Sequence, residues 1–102
     1  MTRLKTALNA QERRELSSPD GEFARRHPAA RKLLFALERE DFHVCDVKAF
    51  EHHAWIRLGC RAIVNAYRSG TVMVQGSIDG QSKELLETLL PPGTIWQVRV
   101  TD

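Results

Sequence analysis

The hydrophobic positions change period along the chain. Between Pro28 and Glu40, Ala30, Leu33, Leu34 and Leu37 recur at helical spacing, while Arg31, Lys32, Glu38 and Arg39 fill the other side. This predicts an amphipathic helix over 28–40, with Pro28 at the first position, where its missing N–H costs nothing. From residue 54 the period drops to two. AWIRL (54–58), RAIVNAY (61–67) and TVMVQG (71–76) alternate, separated by Gly59-Cys60 and Arg68-Ser69-Gly70. Both separators are short enough for hairpins, so an antiparallel meander is expected. FHVCDVKAF (42–50) alternates loosely, as a strand or an irregular edge segment. Gly76 to Gly80 reads as a turn, and Ser82 as the cap of a helix over 83–90. Pro91-Pro92-Gly93 stops that helix, and TIWQVRV (94–100) alternates again as a final strand.

The N-terminal residues carry weaker signals. Asn9 with Glu12 fits a capping box, which predicts a short helix over 10–16. Ser17-Ser18-Pro19-Asp20-Gly21 is turn chemistry, and Asp20 or Ser18 opens a further helical turn through Phe23. The division that follows is an N-terminal extension, 1–22, and a single α+β domain, 23–102. Its expected architecture is an antiparallel sheet of four or five strands with two main helices on one face.

Alternation sorts the sheet side chains into two sets. Ala54, Ile56, Leu58, Ala62, Val64, Ala66, Val72, Val74, Trp96, Val98 and Val100 suit a face beneath helices. The other set holds Trp55, Arg57, Arg61, Asn65, Tyr67, Thr71, Met73, Gln75, Gln97 and Arg99. Between Ala54 and Ser77 there is no Asp or Glu, while Arg57, Arg61 and Arg68 are present. Arginines beside aromatic rings and amides suit nucleic acid: guanidinium pairs with phosphate, rings stack on bases, and amides reach base or sugar edges. The same composition also describes a solvated sheet face or a protein-binding face.

Charge and cysteines change the picture little. The net charge is +2, but residues 1–32 carry eight basic and four acidic residues against seven and nine in the remainder. Positive charge therefore gathers in the N-terminal third. A composition of 42% hydrophobic and 27% charged residues is that of an ordinary globular domain. No apolar run reaches the length of a membrane span, and the N-terminus has no signal-like apolar stretch, so a cytoplasmic protein is expected. A reducing compartment disfavours a disulfide between Cys45 and Cys60.

Tyr67-Arg68-Ser69-Gly70-Thr71-Val72-Met73-Val74-Gln75-Gly76 resembles the Y-x-S-G-K-x-x-x-Q-G stretch of the N-terminal substrate-binding domain of type III bacterial ribonucleases H. Similar domains, like half of a TATA-binding protein, occur in RnlA-like toxin ribonucleases. The resemblance covers roughly residues 30–90, and Tyr67, Ser69, Gly70, Gln75 and Gly76 match its pattern. Thr71 stands where the family usually has lysine. The resemblance implies a curved, TATA-binding-protein-like sheet that contacts a nucleic acid or an RNA/DNA hybrid. The catalytic carboxylates of a ribonuclease H belong to another domain, so a free-standing binding module is implied.

Other chemistry finds little support in the pattern. His43, Cys45, Asp46, His52 and His53 lack the paired spacing of a zinc site. Nothing around Cys45 or Cys60 marks a Cys–His nucleophile, and no glycine-rich phosphate loop is present. The expectation is a protein without cofactor, metal or catalytic residues that binds nucleic acid. Its expected contacts are Trp55, Arg57, Arg61, Asn65, Tyr67, Arg68, Ser69, Gln75 and Arg99. The alternative is a protein-interaction or dimerisation module, as in a toxin–antitoxin or phage-defence system.

Overall fold

In a computed structural model, which describes residues 21–101, the chain forms three helices and one five-stranded sheet. The helix expected over 10–16 lies outside the described residues. Helix α1 spans Glu22–Arg26 and α2 Pro28–Arg39; strands β1 to β4 span Val44–Ala49, His53–Leu58, Ala62–Tyr67 and Val72–Asp79. Helix α3 covers Gly80–Leu89, and β5 covers Ile95–Thr101. The strands lie in sequence order, β1-β2-β3-β4-β5. No helix among the described residues is long and apolar enough to cross a membrane.

From Ala54 to Val74 the core is the one alternation predicts. On β5, by contrast, Trp96 and Val98 are only partly buried, and Val100, expected beneath the helices, is exposed because the strand lies at the sheet edge. Leu33, Leu34 and Leu37 of α2 and Leu86 of α3 pack on Ala54, Ile56, Val64, Val74 and Ile78, all buried. Both long helices therefore cover the same sheet face. Gly21, rather than Ser18 or Asp20, takes the N-cap position of α1, and the helix runs on past Phe23 to Arg26.

Two expectations need correction. The sheet is mixed rather than antiparallel: β1 to β4 form the meander, but β5 runs parallel to β4. Helix α3 carries the chain back along the sheet, so the next strand re-enters in the direction of β4, as a crossover requires. Residues 76–79, moreover, do not turn but extend β4. Ile78 is fully buried, and β5 pairs with every residue from Met73 to Asp79. The turn-like composition there serves other ends. Asp79 is the N-cap of α3, accepting from Ser82 N–H at 3.0 Å and from Ser82 Oγ at 2.7 Å. Ser82 is thus the donor in this cap, not the capping residue, and its two bonds hold the Asp79 carboxyl below the usual carboxylate range.

Candidate nucleic-acid interface

The cross-strand register decides which side chains share the uncovered face. Trp55 lies opposite Asn65, Asn65 opposite Met73, Gln75 opposite both Ile63 and Gln97, and Ser77 opposite Arg99. Directly opposed residues project to the same side. Trp55, Arg57, Asn65, Tyr67, Gln75 and Arg99 therefore all fall on the face away from α2 and α3, as the alternation predicts.

The three remaining candidates sit at the ends of β3. Arg61 belongs to the β2–β3 turn rather than the strand; it is exposed, with φ of 77°. Gly76 explains the local geometry. At φ of 94° a Cβ on Gly76 would lie 2.8 Å from the Arg61 carbonyl oxygen, so only glycine lets the two backbones approach this closely. Arg68 and Ser69 occupy the β3–β4 turn at the opposite end, where Gly70 takes φ of 100°. Ser69 Oγ donates to Thr71 Oγ1 at 3.4 Å. At the rise of an extended strand, Arg61 and Arg68 stand about 20 Å apart. They serve two different ends of the face.

Several polar groups on this face are already engaged. Asn65, expected to hydrogen-bond a ligand, is only 4% exposed and donates from Nδ2 to Gln75 Oε1 at 2.9 Å. It ties β3 to β4 instead of reaching outward, because Trp55 and Met73 stand beside it on the neighbouring strands. Trp55 is half-buried, with Lys48 Nζ 4.8 Å from its ring centroid.

Sequence patterning misses the most coherent feature, a column of three rings. Phe50 stacks on His53 at 4.9 Å and 16°, and His53 stacks on Tyr67 at 4.9 Å and 25°. Phe50 and His53 flank the β1–β2 turn, closed by the Phe50 N–H to the His53 carbonyl at 2.8 Å. Tyr67 arrives from β3 because it is paired with His53. The Arg68 N–H donates to the His52 carbonyl at 2.9 Å, which fastens the Arg68 turn to the same corner. The adjacent histidines His52 and His53 are visible in the sequence, but the stacking of His53 between Phe50 and Tyr67 is not. No group of metal-ligating residues occurs among the described residues.

Beneath this corner lies His27, 2% exposed, between α1 and α2. Its ring packs 5.6 Å from Phe23, and neither ring nitrogen makes a well-formed hydrogen bond. Burial pushes the His27 pKa down. The nearby Phe50 carbonyl opposes that shift, while Arg68, Arg26 and His53 add to it. Cys45 and Cys60 are free thiols, and burial raises the Cys60 pKa, which disfavours the thiolate a nucleophile needs.

No protein-family model, curated protein or solved structure matches the chain.

Proposed function

We propose that this domain binds nucleic acid across the uncovered face of its sheet, without catalysis. The observation that carries this reading is the Phe50–His53–Tyr67 column beside Arg68. Phe50 is 47% exposed at the end of the column, so a base can extend the stack by one more ring. Base–aromatic stacking is worth about 1–3 kcal/mol and tolerates any base. Arg68 supplies a guanidinium for a phosphate at the same corner, while Arg57 and Arg99 lie along the face towards its other regions. Asn65 holds the sheet together, and half-buried Gln75 and exposed Ser69 are left for sugar or base edges. The fold assignment that goes with this reading is TATA-binding-protein-like, and an RNA/DNA hybrid is the first ligand to test.

The test is fluorescence anisotropy with DNA, RNA and hybrid duplexes at two salt concentrations. Expected is micromolar binding to at least one, weakened steeply by salt as counterions are released. Phe50→Ala should weaken it about tenfold with the salt slope unchanged, and Arg68→Ser should lower the slope by about one contact. Micromolar binding to none of the three would overturn the reading.

A further inference from the structure

The sheet has two edges, and they differ in kind. The β1 edge is blunted: its register shifts between Val44 and Asp46, and it carries Asp46 and Lys48. Bulges and charges are how edge strands avoid pairing with other chains. The β5 edge has no register shift and a single charge, Arg99. Its seven residues pair with β4 from Ile95 to Thr101 and contain no proline. Among the described residues nothing pairs with its outer side. Val100 remains 51% exposed and Ile95 45%, although Val100 lies on the helix-side set.

We infer that β5 pairs antiparallel with β5 of a second copy of this chain, about a two-fold axis at Val98. The strand is self-complementary in this register. Val98 meets Val98, Trp96 meets Val100, Gln97 meets Arg99, and Ile95 meets Thr101. Every opposed pair is then apolar–apolar or free of like charge, and Arg99 is placed against an amide. Shifting the axis one residue onward, to Arg99, sets two guanidinium groups face to face, which is unfavourable. Opposed residues in antiparallel strands share a side, so Gln97 and Arg99 stay on the uncovered face of both copies. The product is one continuous sheet of twice the width, with all helices on one side. The inference stands apart from nucleic-acid binding, since it concerns the edge and not the face.

Sedimentation equilibrium of the full chain over a concentration series, without nucleic acid, tests it. The mass should rise with concentration towards twice 11.6 kDa. Gln97→Lys sets a lysine opposite Arg99 in both symmetry-related pairs and should raise the dimer Kd about tenfold. Gln97→Glu sets a carboxylate there and should lower Kd by about the same factor. Circular dichroism of each variant checks that it is folded, and the glutamate variant keeps the test decisive if the lysine variant is not. A monomer at every concentration would overturn the inference. So would a dimer whose Kd moves in the same direction, or not at all, with the two substitutions.

Discussion

On its helix-covered side the sheet presents Ala54, Ile56, Val64 and Val74, none of them exposed at all. On the other side Asn65 is almost as hidden, yet it meets Gln75 through a hydrogen bond, and the rings of His53 and Tyr67 meet by stacking. The first face gains by removing carbon from water. On the second, the buried Asn65 amide is kept because it finds a partner in Gln75, since leaving it unpaired would cost more than the bond returns. A face built in the first way needs a covering layer, which here is the two long helices. One built in the second way holds itself together and still leaves Phe50, Arg68 and Arg99 open to solvent.

The strongest way to break this contrast is to open a cavity under the helices. Ile56→Ala removes a fully buried side chain and should cost about 3 kcal/mol in a urea denaturation series. A loss below about 1 kcal/mol would mean that the helix side is not the close-packed one. A sharper and smaller effect comes from the uncovered face. Asn65→Leu strands the Gln75 amide and should cost about 1–2 kcal/mol, while Asn65→Leu with Gln75→Leu should recover most of that. Additive losses in this double-mutant cycle would show that the two amides do not act as a pair.

The smallest expected effect lies at the corner where the two sides meet. Burial pushes the folded pKa of His27 below the ordinary 6.5. Below pH 6.5 the unfolded chain therefore binds more protons than the folded one. The stabilisation is complete above that value and is lost as pH falls towards the folded pKa. The thermal midpoint should drop as pH falls below about 6.5, and His27→Phe should flatten that part of the profile. An unchanged slope in the variant would remove His27 from the account.

Helix α2, strands β2 to β4 of the meander and the inward set from Ala54 to Val74 were all legible in the order of residues. Period alone states which side of an element is apolar, and the adjacent hairpins leave little freedom in pairing. The direction of β5 was not legible, because an alternating strand looks alike whichever way it runs. Residues 76–79 misled for a related reason. Gly76, Ser77 and Asp79 have turn composition, but β5 arrives as a partner and Ile78 finds the core, so burial overrides local preference.

The candidate site divides along the same line. That Trp55, Arg57, Tyr67, Gln75 and Arg99 share a side follows from counting by twos. That Arg61 leaves the strand, that Asn65 is sealed in and that Phe50, His53 and Tyr67 stack depends on register, turn geometry and the approach of the Arg61 carbonyl to Gly76. Local patterning acts over a few residues and is written in the chain. Contacts between segments far apart in the chain exist only once the sheet has brought those segments side by side.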